Sequence, residues 1–140
     1  MSPLTGSLNV LNRDIRGNLI IVGAYMPKAR KSLAKPRSTA FIRQSGHCFY
    51  CNQPMCDGNI PEFSKQYKIS NSQAKLLCCT GEHLRAFVDG GSSAQTNIVA
   101  ACWYCNLNRH RRKRPPEPEQ YKALVLKRMS KGGWHRIRLN

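Results

Sequence analysis

Two Cys-x-x-Cys pairs, Cys48-Phe49-Tyr50-Cys51 and Cys102-Trp103-Tyr104-Cys105, constrain this chain more than any other feature. Two cysteines separated by two residues form a knuckle whose thiolates converge on one ion, and two knuckles fill the tetrahedron that Zn²⁺ prefers. Four thiolates leave no coordination position for substrate, so the ion they hold is structural. The pairs are far apart in sequence, so something folded has to lie between them. The 7 cysteines are an odd number, which excludes complete internal disulfide pairing and points to a reducing compartment. Cys78 and Cys79 fall in an apolar stretch and read as small core residues, Cys56 as an exposed free thiol. His47, beside Cys48, is the candidate replacement for one thiolate.

The 140 residues suit one small domain. Against 7 Asp plus Glu stand 23 Lys plus Arg, a formal charge of +16. A polyanion is the natural partner, because basic side chains release the counterions condensed on phosphates; a merely solvated basic surface, or one that adheres to acidic lipid, is the bland alternative. The start, MSPLTGSLNV, has no basic segment leading into a long apolar one, and no stretch approaches the ~18 apolar residues of a membrane span. The expectation is a cytoplasmic protein without signal peptide or membrane partner, monomeric or homodimeric, that binds DNA, with RNA as the open alternative.

Three segments are expected: a basic N-terminal arm over 1–36, a core over 37–114 and a C-terminal helix with a basic tail over 115–140. In the arm, Gly17-Asn18 signals a turn and Leu19–Tyr25 a short strand. Pro27 and Pro36 should break any long helix among Lys28, Arg30, Lys31, Lys35 and Arg37. Ser38 to Gln44 reads as a short helix with Ser38 as N-cap and Gly46 past its end. Residues 57–73 read as a polar insertion with a turn at Asp57-Gly58, and Lys75 to Thr80 as an apolar strand. Pro115, Pro116 and Pro118 stop the central helix. Tyr121, Leu124, Val125 and Met129 recur at helical spacing, and Gly132-Gly133 should turn the tail back onto the domain.

Between the knuckles sits a group suited to phosphodiester hydrolysis, which needs a base for water and positive charge for the phosphorane and departing oxygen. His83 is the natural base, since a neutral imidazole titrates near neutrality. Glu82, a rare acid in a basic chain, suits a hard cation. Adjacent strand residues face opposite ways, so both reach one phosphate only if the strand ends or bends near Glu82, which Gly81 permits.

The order Glu82-His83-Leu84, Asp89-Gly90-Gly91, Asn97-Ile98-Val99, Cys102-Trp103-Tyr104-Cys105-Asn106 and Arg109 resembles the HNH endonuclease family in its zinc-braced ββα-metal form. The resemblance runs from about Cys48 to Arg112. It implies an α+β fold: a small single domain with a ββα-metal core and a structural four-cysteine zinc site, flanked by the arm and the C-terminal helix. It also implies a hairpin carrying His83 and a helix from about Trp103 to Arg112. By that resemblance His83 is the general base and Asn97 ties down the loop and orients it. Glu82 and the side-chain oxygen of Asn106 hold the catalytic ion. The family more often has aspartate at Glu82 and histidine at Asn106; His110, one helical turn later, could assist or touch a phosphate. Carboxylate and amide oxygens suit Mg²⁺ or Mn²⁺. Arg85, Arg109, Arg111, Arg112, Lys113 and Arg114 are expected on the nucleic-acid backbone, and Trp103 and Tyr104 in packing. The competing readings are a non-catalytic zinc module that binds DNA or RNA, and a structural or ribosome-associated RNA binder.

Overall fold

The computed structural model describes residues 10–13, 19–22, 32–85, 90–92 and 94–139. The chain divides into two units, Met1–Arg30 and Lys31–Asn140. The first unit holds a hairpin in which β1 (Val10–Arg13) pairs antiparallel with β2 (Leu19–Val22), Val10 opposite Val22 and Arg13 opposite Leu19. The strand expected over Leu19–Tyr25 is described as far as Val22. The Gly17-Asn18 turn, Pro27 and the basic residues Lys28, Arg30 and Lys31 lie outside the described residues, as does Asp89.

The second unit opens with α1 (Ala34–Arg43), four residues earlier than the expected start at Ser38. Pro36 does not break it. This proline lies in the first turn, where its missing N–H would have no intrahelical partner. The interval read as a polar insertion is instead two short helices, α2 (Ile60–Tyr67) and α3 (Asn71–Leu76). Each start is fixed by a cap. Asn59 Oδ1 accepts from Glu62 N at 3.1 Å, and Ser70 and Gln73 exchange side-chain to backbone bonds as a capping box. Phe63 and Ala74 supply the buried sides of α2 and α3.

Two antiparallel strands follow, β3 (Cys79–His83) and β4 (Ile98–Cys102), in register from Cys79 opposite Cys102 to His83 opposite Ile98. The apolar run expected from Lys75 is helical as far as Leu76, and the strand begins at Cys79. Every residue of β4 is buried. Its free backbone edge is met by the Gln44 side chain, which donates to Ala100 O and accepts from Ala100 N, both at 2.8 Å, with Phe49 N donating to the same carbonyl. A buried strand edge is thereby satisfied without a third strand. Gly81 does not bend the strand: it stays paired with Ala100, and a Cβ there would meet Leu33 Cβ at 3.4 Å and Arg37 Cβ at 3.6 Å, ordinary contact, so this face of β3 lies against the start of α1.

Directly after β4 comes α4 (Trp103–His110), shorter than the expected span to Arg112, with Arg111 as its C-cap. The last helix, α5 (Pro118–Ser130), carries Pro118 in its first turn and buries Tyr121, Val125 and Met129, in line with its helical spacing. Gly132 sits in the left-handed region at φ 70°, which glycine adopts without steric cost, and the tail returns from there. Trp134 and Ile137 join the core, and Leu139 N donates to Gln53 Oε1 at 2.7 Å. No helix among the described residues is long and apolar enough to cross a membrane.

Candidate active site and metal centre

The four knuckle cysteines converge. The sulfurs of Cys48, Cys51, Cys102 and Cys105 all lie within 4.8 Å of one another and all four residues are buried. The first knuckle turns through Asn52, in the left-handed region at φ 59°, with Asn52 N donating to Cys48 O. The second coincides with the start of α4, where Cys102 Sγ accepts from Cys105 N at 3.4 Å as the helix cap. Backbone N–H groups of Tyr50 and Cys102 point at Cys48 Sγ from 3.4 and 3.2 Å, and the indole of Trp134 at Cys105 Sγ from 3.2 Å. Such donors favour thiolates.

Four sulfurs this close cannot all ionise by themselves. Cys51 is held well below the ordinary thiol range by S–H groups of Cys102, Cys105 and Cys48, while Cys102 is pushed well above it by Cys105, Cys48 and Cys51. A divalent cation among them removes the conflict, and the set of four soft, buried donors fits a structural zinc ion. His47 is not part of the cluster; its Nδ1 lies 2.7 Å from Ser45 O. Cys56, expected to be exposed, is buried at 2 % because its backbone bridges to Cys78 beside β3.

At the other end of α4, Glu82 is 1 % exposed. Its Oε1 accepts from Arg109 Nη1 at 2.6 Å, and His110 Nε2 lies 3.0 and 3.1 Å from its two oxygens. Asn106 and His110, one turn apart, share a face of the helix. Asn106 Nδ2 donates to Thr80 Oγ1 at 2.9 Å and towards Gly81 O at 3.3 Å. Thr80 gives its own hydroxyl proton to Ala101 O at 2.7 Å, so it accepts from Asn106, and the amide orientation is fixed. Asn106 Oδ1 has no hydrogen-bond partner among the described residues. The carboxylate and imidazole stand as far apart as neighbouring ligands of one cation, and Asn106 lies one turn back on the same face of α4.

Arg109, expected on a phosphate, is buried at 5 % and directed inward, with Nε and Nη2 on Pro116 O at 3.2 and 3.1 Å. Arg85, Arg111, Arg112, Lys113 and Arg114 are exposed. Trp103, expected in packing, is 43 % exposed, whereas Tyr104 packs edge-on against Trp134 and His135.

No bend separates Glu82 from His83. The pair stays in register opposite Val99 and Ile98, so their side chains leave opposite faces of β3. Glu82 shares the face of Thr80, towards α4; His83 has the parity of Gly81, whose face meets α1. His83 is the last paired residue, and its Nε2 is buried with no partner. Asn97 clamps the following loop at both ends, accepting from Arg85 N at 2.8 Å through Oδ1 and donating from Nδ2 to Arg85 O at 3.0 Å and Ser92 O at 2.7 Å. Leu84 N adds a bond to Asn97 O.

A strand pair feeding a helix, with four thiols gathered at one end and the Glu82 carboxylate beside His110 and Arg109 at the other, defines a ββα domain with room for a metal at the thiol end. Residues 48–112 match the family described as HNH endonuclease, and this part of the chain is an HNH domain. No curated protein matches the sequence.

Proposed function

We propose that this protein is a metal-dependent endonuclease that hydrolyses phosphodiester bonds of DNA, with zinc at the four-cysteine cluster and Mg²⁺ or Mn²⁺ at the Glu82 end. The observation that carries the reading is the meeting of Glu82 with His110 at the end of α4, with Asn106 one turn back on the same helix face and His83 following Glu82 at the end of β3. Glu82, Asn106 Oδ1 and His110 Nε2 would hold the divalent ion, which supplies a Lewis acid for the developing negative charge on phosphorus and on the departing 3′-oxygen. His83 takes a proton from the attacking water. Its Nε2 is shut off from solvent, so Nδ1 is the nitrogen that accepts. Although the two side chains diverge, His83 ends the strand, and a phosphate laid across that end meets the imidazole from one side and the carboxylate from the other. Asn97 holds the loop that follows His83 and so fixes where the ring stands. Exposed Arg85 and the run Arg111 to Arg114 contact the sugar-phosphate backbone, with little demand on sequence.

A second reading, a non-catalytic zinc module that binds DNA or RNA, is favoured by one observation: both oxygens of Glu82 already have protein partners. One assay separates the two. Supercoiled plasmid incubated with zinc-loaded protein and Mg²⁺ or Mn²⁺ is nicked or linearised, and His83→Ala slows cleavage by about 10²–10⁴ while leaving salt-sensitive DNA binding intact. Absence of cleavage by the wild-type chain, or cleavage undiminished in the variant, selects the binding module.

A further inference from the structure

We propose that Arg109 is a positioning residue that makes uptake of the divalent ion depend on nucleic acid: it cancels the charge of Glu82, so that a dication is held firmly only when a phosphate completes the site. The inference rests on the reading of Glu82 as a metal ligand.

The guanidinium is fixed from two sides. Nε and Nη2 hold the carbonyl of Pro116, just beyond α4, and Nη1 holds Glu82 Oε1 at 2.6 Å with His83 O at 3.5 Å. A planar fork anchored in this way cannot rotate off the carboxylate, and the prolines around its anchor stiffen the segment that carries it. Both partners are almost wholly buried, at 5 % and 1 %, where water screens their charges least.

The charge count follows from these contacts. Glu82 contributes one negative charge, Arg109 one positive charge, and the remaining donors, Asn106 and His110 as neutral imidazole, none. A dication entering that set finds no net negative charge, in a chain whose formal charge is +16. Oε1 is also shared with Nη1, which leaves Oε2 as the better ligand atom. A phosphodiester lying across the site brings the anionic oxygen that the protein omits. The arrangement restrains the chain from collecting metal without nucleic acid, and it links the two binding events reciprocally. An Arg109 that served only to fill the core would have no such effect on metal affinity.

The test uses the zinc-loaded full chain in a His83→Ala background, so that DNA stays intact, and reads free Mn²⁺ by electron paramagnetic resonance with and without a short duplex, corrected for Mn²⁺ on DNA alone. In the parent, duplex should tighten Mn²⁺ binding by about tenfold or more. Arg109→Met should tighten binding without DNA by a similar factor and largely abolish the effect of DNA. Equal affinity with and without duplex in the parent, or unchanged affinity in Arg109→Met, overturns the proposal. Arg109→Lys keeps the charge but not the fork; it should retain the DNA dependence, and its loss overturns the charge argument even if the Met variant does not fold. Glu82→Gln separates the two levels. Loss of Mn²⁺ binding there upholds Glu82 as ligand whatever Arg109 does, whereas unchanged binding removes both that role and the inference built on it.

Discussion

The indole Nε1 of Trp134 donates to Sγ of Cys105 across 3.2 Å, joining the returning C-terminal tail to the thiolate cluster at the start of α4. A ligand thiolate that loses such a donor becomes harder to keep ionised, and outer-shell partners of this kind typically change metal affinity by about 10–100-fold. Trp134→Phe keeps the edge-on packing against Tyr104, whose ring centroid lies 5.1 Å away, and removes only the N–H. The expected outcome is a folded protein that yields zinc to a competing chelator at about tenfold lower chelator concentration. Retention equal to wild type would show that the contact is packing alone.

The four-cysteine cluster also joins the two knuckles across the core, with Cys102 both a member of the cluster and the cap of α4. Cys51→Ser leaves three thiols and destabilises the Lys31–Asn140 unit by several kcal/mol, since binding free energy at a structural zinc is folding free energy. Thermal unfolding followed by circular dichroism should shift down by roughly 10 °C or more, about as far as for wild type in excess chelator. A melting temperature indifferent to chelator would exclude a structural ion.

Alkali should attack the fold through Cys56. Burial first, and then the neighbouring Cys78, push its thiol from 9.0 up to about 11. Between these values the unfolded chain releases the proton and the folded chain retains it, so stability falls as pH rises from about 9 and the full loss is reached above about 11. The interval corresponds to at most about 2–3 kcal/mol. Urea midpoints compared below, within and at the top of that range should fall steadily in wild type and more shallowly in Cys56→Ala.

The parts of this fold that can be read from sequence are those whose chemistry is local. Ligand spacing identifies the four cysteines, helical periodicity identifies α5, and the order of Glu82, Asn97 and Asn106 identifies the ββα core. The helices α2 and α3 are harder to read because they are short: Ile60, Phe63 and Tyr67 recur at helical spacing in α2 over only about two turns, and α3 buries Ala74 alone. Their signals are the caps, Asn59 with Glu62 and Ser70 with Gln73. Pro36 misleads because its effect depends on which turn it occupies. Arg109 cannot be told from the surface arginines after it: what turns it inward is Glu82, far away in sequence, and the carbonyl of Pro116. Trp134 carries no local mark of its contact with a cluster sulfur, since only the return of the tail creates it.

Asn97 offers a test of loop control that is separate from chemistry at His83. Its side chain accepts from Arg85 N and donates to Arg85 O and Ser92 O, so it satisfies three backbone groups with one amide. Asn97→Ala removes all three bonds, at a cost of about 1–3 kcal/mol for the groups left unpaired. Asn97→Asp is isosteric but sets a carboxylate oxygen against two carbonyls, and should be the less stable of the two. If the clamp fixes the residues leading out of β3, both variants lose about 10²-fold in plasmid cleavage through misplacement of His83. DNA affinity, which the proposed function assigns to Arg85 and the run after α4, should change by less than about threefold, because backbone contacts depend on charge more than on loop detail. Gel-shift titration beside the cleavage assay distinguishes the outcomes. A parallel fall in affinity and cleavage would assign Asn97 to DNA binding rather than to the placement of the imidazole.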